Sequence, residues 1–298
     1  MALLQRAIEN SYRAFANSDS FLLFLQGQDK RIIKNGIEFI LHYFDPSVNN
    51  TSTNPPRVTK RDHLMPPYEP YIELDRFTTK EQLINVTSHH NRSSQNDQNS
   101  EKDQFRDVAS PCHFLILNRY QFCPGHVIMS LDTTYNFKNE FQGSPLIDHD
   151  YSMLSILLHQ VDDRGVAYYN GGVDAGCTQY HKHMQYVPNF YNPLFDKMAL
   201  GEKLPYKYFT EKIDDYRPET IGYAYKKLME RMDHSGSYNL VISNKVAAIV
   251  PRIKAKHRSG VVLNSMGICG HLSVWNYNAK PVEENPLSVF EDCCIPVD

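Results

Sequence analysis

The sequence predicts an α+β fold in which a mostly antiparallel sheet is flanked by helices. Two observations carry that expectation. Apolar runs of strand length follow one another across tight-turn signals, and the windows with helical spacing are set apart from them. At 298 residues, 41% of them hydrophobic, the chain can bury a substantial core as one large domain or two small ones.

In chain order, Leu4, Ala7, Ile8, Tyr12 and Phe15 recur as on one face of a helix, which the Asn17-Ser18-Asp19 breaker ends. FLLFLQGQDKRIIKNGIEFILHYFD then reads as strand, turn and strand. Residues 47–70, rich in Pro, Asn, Ser and Thr, read as a long loop carrying the basic trio Arg57, Lys60 and Arg61. Residues 88–105 have almost nothing to bury and read as a solvated insertion, so their histidines are poor ligand candidates. HFLILNRYQFCPGHVIM is expected to form two strands about a Pro-Gly turn, residues 145–160 a helix, and RGVAYYN a strand. Pro218 and Glu219 mark the start of a helix over 217–232, with basic residues further along. SYNLVISN and VAAIVPRI read as paired strands, and the glycines of GVVLNSMGICGHLSVWN interrupt a further apolar run.

A formal net charge of −3 leaves no general attraction to nucleic acid or anionic lipid, so any anionic ligand must be held locally. No apolar run is long enough to cross a bilayer, and the first residues lack the apolar core of a secretory signal; a cytoplasmic protein is expected. The six cysteines show no CxxC pairing with matching histidines, which points to reduced thiols, not a zinc knuckle or a disulfide framework.

The chemistry concentrates at residues 181–185, HKHMQ. On a strand, residues two apart share a face, so His181, His183 and Gln185 would line one surface, with Lys182, Met184 and Tyr186 on the other. The preceding segment, Gly171 to Gln179, is rich in small residues whose backbone N–H groups can converge on an anion. A neutral imidazole is a good nucleophile toward phosphorus, and the resulting phosphoramidate transfers readily to a second acceptor. Gln185 can donate its amide to a phosphoryl oxygen but cannot exchange a proton, so its expected role is electrostatic. A zinc reading of the two histidines lacks an adjacent third ligand. Asn118 and Asn170 sit at strand ends, where asparagine also serves turns, and Arg252 could be a phosphate contact or a solvated charge.

YYNGGVDAGCTQYHKHMQ, with FLILNRYQFCPGHVIM upstream and YNLVISNKVAAIVPRIKA and LNSMGICGHLSV downstream, resembles the diadenosine tetraphosphate phosphorylases, or ATP adenylyltransferases, of the histidine-triad/galactose-1-phosphate uridylyltransferase (GalT) superfamily. The resemblance covers most of residues 111–275 and implies one GalT-like catalytic domain over 1–298, with 237–275 as its C-terminal substrate-binding portion. It implies a ping-pong exchange: His183 takes the adenylyl group of a dinucleoside tetraphosphate, ATP leaves, and inorganic phosphate then releases ADP. His181 would orient the site. Asn118, Arg119, Asn170, Gly176, Cys177, Thr178, Gln179, Asn264, Ser265, Met266 and His271 match substrate-contacting positions, and Lys60 is the choice for the basic residue of the earlier loop. No protein-bound cofactor or metal is implied; magnesium can accompany the substrate's phosphates. Neither nucleic acid nor membrane is an expected partner, and base preference and oligomeric state stay open. The chain departs from the family at Cys177 for serine, His271 for methionine and Trp275 for lysine; the last loses an ammonium that would grip phosphate. Two rivals share the HxHxQ pattern: an enzyme acting on a nucleoside diphosphate sugar, and a nucleotide-binding protein with weakened chemistry.

Overall fold

The computed structural model describes residues 2–17, 22–23, 29–44, 64, 72–77, 113–132, 137, 139–159, 165–232, 236–275 and 279–297. The loops read at 47–70 and 88–105, with Arg57, Lys60 and Arg61, lie outside the described residues, Leu64 excepted.

Helix α1 (Ala2–Asn17) is followed by β1 (Leu22–Leu23) and the hairpin β2 (Asp29–Lys34) and β3 (Ile37–Phe44). Next come β4 (Ile72–Phe77), β5 (His113–Leu117), β6 (Tyr120–Gln121) and β7 (Val127–Leu131), then α2 (Asp148–Leu158), β8 (Val166–Gly171) and β9 (His183–Val187). The chain continues through α3 (Pro193–Ala199), β10 (Phe209–Lys212), α4 (Pro218–Arg231), β11 (Tyr238–Ser243) and β12 (Val246–Pro251). It closes with α5 (Ser265–Ile268), β13 (His271–Trp275), α6 (Ala279–Glu284) and α7 (Leu287–Cys293).

Among the described residues the main sheet has eight strands in the order β10-β12-β11-β8-β9-β7-β5-β4, and every neighbouring pair is antiparallel. The expected helices and strands occur, with the 145–160 helix starting at Asp148. Pro218 occupies the first turn of α4, where its missing N–H costs nothing, and Glu219 and Arg231 sit at the ends the helix dipole favours. A smaller sheet, β13-β3-β2, holds His271 beside Ile40 in a parallel pairing. No described helix is long and apolar enough to cross a membrane.

Period-two alternation sends the two faces of the main sheet into separate apolar layers. Ala167, Tyr169, Met184, Tyr186, Leu240 and Ile249 pack against α1, α2 and α4 on one side. Val166, Tyr168, Val187, Val241 and Val250 pack on the other against β3, α3, α5, β13 and α7. β9 lies between β7 and β8, so both of its backbone edges are paired in the sheet.

Lys182, just before β9, is fully buried on the α2 side. Its ammonium is 2.6 Å from Glu140 and 2.9 Å from the buried Asp150, and it donates to the Pro145 carbonyl at 2.7 Å. Burial alone would raise the Asp150 pKa; the hydrogen bond and charge of His113, the Lys182 charge and the Ile147 N–H outweigh it and hold the carboxyl below its ordinary value. Removing the cation strands the buried carboxylate of Asp150, which typically costs about 3–5 kcal/mol. Lys182→Met is therefore expected to lower unfolding free energy by roughly that amount in a urea titration; a change under ~1 kcal/mol would show that the pair does not brace β9.

Candidate active site

β9 begins at His183, so the sequence-based placement of His181 on the same strand is corrected: His181 lies in the bend that precedes it. The displacement has a local cause. The His181 ring donates from Nε2 to the Leu131 carbonyl at 2.6 Å, while the Leu131 N–H bonds the Lys182 carbonyl, so this end of β7 holds the bend by side chain and backbone together. The bend turns the His181 carbonyl toward the ring of His183, whose Nδ1 lies 2.8 Å away. A carbonyl only accepts, so Nδ1 carries the proton and the lone pair of the neutral ring is on Nε2.

The β8–β9 ladder runs only as far as Tyr168 opposite Gln185. Beyond it the strands part, and the Gln142 side chain fills the gap. Its Oε1 accepts from the His183 N–H at 2.8 Å, and its Nε2 donates to the carbonyls of His183 and Asn170 at 3.0 and 3.1 Å. An amide side chain thus stands in for a missing stretch of strand and fixes the peptide of His183.

Gln185 is oriented just as firmly. Its Oε1 accepts from Asn118 Nδ2 at 2.9 Å, the Tyr168 hydroxyl at 2.8 Å and His126 Nε2 at 2.9 Å. The Phe122 N–H points at His126 Nδ1 from 3.3 Å, which places the imidazole proton on Nε2 and makes it the donor. With three donors on the oxygen, the NH₂ group is the end of the Gln185 amide left to donate. Burial pushes the Tyr168 hydroxyl well above its ordinary pKa and His126 down to about 3, so both partners stay neutral across the ordinary pH range.

The glycine segment leads from β8 through a single 3₁₀ turn, Val173–Ala175, to Gly176, whose φ of +80° is the left-handed region. A Cβ there would lie 2.5 Å from the Leu263 carbonyl, so the loop packs directly on the segment that enters α5. Cys177 is half-buried, and burial raises its thiol; Thr178 is exposed and Gln179 half-buried.

Asn170, Asn239 and Ser265 tie this loop to the C-terminal elements. Asn170 Oδ1 accepts from Asn239 Nδ2, the Ser265 N–H and the Ser265 hydroxyl at 2.8–2.9 Å, and Asn239 also donates to the Ala175 carbonyl. Arg252, read from sequence as a phosphate contact or a solvated charge, is neither: it is 2% exposed and donates to Asn239 Oδ1 and to the carbonyls of Leu263, Cys293 and Lys254. Asn264 caps α5 by accepting from the N–H groups of Met266 and Gly267, and the Met266 side chain is core.

His271 stands apart from this cluster, on β13. Its Nδ1 lies 2.8 Å from His42 Nε2, and its Nε2 donates to the Tyr191 carbonyl at 2.6 Å. Burial and the neighbouring His42 lower its pKa to about 3. Arg119 lies beside Asn118 with its guanidinium over the Tyr120 ring. The residues that sequence reasoning missed are Gln142, His126, Tyr168, Asn239 and Lys182. His126, Tyr168, Asn239 and Lys182 stood within stretches already singled out, but no spacing marked their roles; Gln142 stood in none of them. Among the described residues no group of three or more His, Cys, Asp or Glu is placed to hold a metal.

An α+β fold carrying a strand-borne histidine and a pinned glutamine beside a glycine loop defines the class. Residues 72–205 match the Ap4A phosphorylase N-terminal domain and residues 202–296 the ATP adenylyltransferase C-terminal domain. The chain belongs to the Ap4A phosphorylase family. Diadenosine 5',5'''-P1,P4-tetraphosphate phosphorylase 2 of Saccharomyces cerevisiae is 28% identical over 204 residues, 54% of this chain and 61% of the relative. Protein APA1 of the same yeast is 21% identical over 208 residues, 58% and 64%. Both alignments thus span less than two thirds of these relatives' length. Crystal structures of yeast Ap4A phosphorylase Apa2 share the fold. The complex with Ap4A has a TM-score of 0.68 at 19% identity, covering 99% of this chain and 98% of that one. The complex with AMP has a TM-score of 0.66 at 17% identity, covering 98% and 97%.

The buried, neutral His126 sets a pH dependence. Its folded pKa of about 3 lies below the unfolded value of 6.5, so its contribution to stability is complete above about pH 6.5 and is lost as pH falls toward 3. His271 acts in the same window and direction. The melting temperature is expected to fall between about pH 7 and about pH 4, and less steeply in His126→Gln, which keeps a neutral donor near Gln185. Identical slopes in the two proteins would remove His126 from the linkage.

Proposed function

We propose that the chain catalyses phosphorolysis of diadenosine tetraphosphate to ATP and ADP through an adenylyl-histidine. In the first displacement His183 Nε2 attacks the α-phosphorus: the P–N bond forms, the bond to the bridging oxygen breaks, and ATP leaves with that electron pair. In the second, an oxygen of inorganic phosphate attacks the same phosphorus, the P–N bond breaks, ADP is released and His183 regains its lone pair.

The observation that carries this reading is the hydrogen bond from His183 Nδ1 to the His181 carbonyl, which puts the nucleophilic lone pair on Nε2 before any substrate arrives. Gln185 supports it, since an amide whose oxygen is pinned offers its N–H to a non-bridging oxygen of the transferring group. The incoming phosphate is already an anionic nucleophile, so no proton-accepting residue is needed in that place.

Gly176, Cys177, Thr178 and Gln179 are proposed to contact the phosphates, with Lys60 from the earlier loop and Arg119 beside them. Asn118 acts through Gln185; Asn170, Asn264 and Ser265 hold the loop's geometry. The partners are then a dinucleoside polyphosphate, ATP, ADP and inorganic phosphate, with magnesium, where present, arriving on the phosphates. The complexes of Apa2 with Ap4A and with AMP support nucleotide binding on this fold. A cytoplasmic setting fits such substrates.

Incubation with diadenosine tetraphosphate is expected to give ATP plus ADP only when phosphate is supplied; products independent of phosphate would overturn phosphorolysis. His183→Ala should lower kcat by about 10³-fold or more, and Gln185→Ala by about 10²–10³-fold. A His183→Ala protein retaining a tenth of the rate or more would assign the nucleophile elsewhere.

A further inference from the structure

A cavity of about 380 Å³ opens between the turn at residues 141–143 and the glycine loop. It adjoins the catalytic elements: Gln142, which fixes the His183 peptide, and Cys177 of the loop both line it. Three large apolar side chains that the fold leaves exposed surround it, Phe141 at 52%, Val173 at 59% and Tyr180 at 79%. Exposed apolar groups gathered around one concavity mark a ligand surface far better than the same groups scattered. The Phe141 ring lies across Gly143, where a Cβ would come within 2.8 Å of it, so the ring rests on bare backbone.

The charge of the lining decides which part of a nucleotide belongs there. Among the described residues it contains no Lys, Arg or His, and its one ionisable acid is Asp174. A carboxylate with no described cation beside it disfavours phosphate next to Asp174. The surface suits a neutral aromatic ring with hydrogen-bond donors, such as an exocyclic amine or ribose hydroxyls. The volume falls within the roughly 300–1,000 Å³ of small-molecule sites.

We propose that this cavity seats one nucleoside of the dinucleoside substrate, with Tyr180 and Phe141 as its aromatic walls and Asp174 accepting from the base or ribose. The inference rests on the proposed function and adds to it a specificity surface that the HxHxQ strand does not include. The polyphosphate then leaves the cavity along the glycine loop toward residues 176–179.

The test is calorimetric titration of the full chain, in a His183→Ala background that prevents turnover, with diadenosine tetraphosphate and, separately, with inorganic tripolyphosphate. Tyr180→Ala and Phe141→Ala are expected to weaken the dinucleotide by about 5- to 100-fold, the span of base–aromatic stacking, while tripolyphosphate binding and thermal melting stay unchanged. Dinucleotide affinity within about two-fold of the parent in the double variant would overturn the proposal. So would a parallel loss for both ligands, which would mean that the cavity serves the phosphates. Turnover by the unmutated protein separates the two readings: it tests phosphorolysis whatever Tyr180 does. A parent that does not bind the dinucleotide at all overturns both.

Discussion

One hydrogen bond within three residues sets the tautomer of His183: its Nδ1 donates to the carbonyl of His181. A strand that ran straight through this segment would point that carbonyl sideways into the ladder, so the bond exists only because β9 starts at His183. The late start depends in turn on what grips residues 181 and 182. The ring of His181 is tied to Leu131, and the ammonium of Lys182 is tied to Asp150 and Glu140 on the opposite face. The two histidines therefore owe their relation to the lysine between them. A buried ion pair is costly to assemble from solvated charges, and its value here is positional: it fixes one orientation of the bend at the chemical centre.

A second polar chain does the same for the glycine loop. Arg252 braces Asn239, Asn239 braces Asn170 and Ala175, and Asn170 holds Ser265 at the start of α5. Four segments remote in sequence meet in one buried network whose members satisfy one another. Each link left unpaired in such a place would cost on the order of 1–3 kcal/mol, so the network fixes one loop conformation. The loop is thereby shaped in advance, which reduces the ordering that any ligand it takes must bring about.

The elements that sequence showed most clearly are those specified locally. Helix α4 has Pro218 at its start and acid and base at opposite ends, and β11 and β12 are joined by a two-residue turn at Asn244 and Lys245, both at positive φ. The HKHMQ segment was visible as a motif because alternation is a local property, yet its exact strand boundary was not, since it is set by contacts with Leu131, Glu140 and Asp150. Gln142 and Arg252 show the limit best. An amide that replaces a missing ladder rung and a guanidinium that braces an asparagine have no periodicity or neighbouring signature; their roles come into being only when strands far apart in sequence lie side by side. His271 illustrates the converse, since its two ring nitrogens are committed to His42 and Tyr191 by a sheet pairing that its own neighbourhood in the sequence does not announce.

The surroundings of Gln185 explain why an amide suits the third position of this motif. Its oxygen meets three donors, and none changes its charge at ordinary pH: Asn118 has no titratable group, the Tyr168 hydroxyl is pushed well above its normal range, and His126 is held down to about 3. A residue that had to shuttle a proton would need a partner that titrates near neutrality. This site supplies the reverse, a rigid and proton-inert setting in which an amide can do little except present N–H groups in a fixed direction. Such a setting fits transfer to an acceptor that arrives already charged, and it serves poorly for activating water.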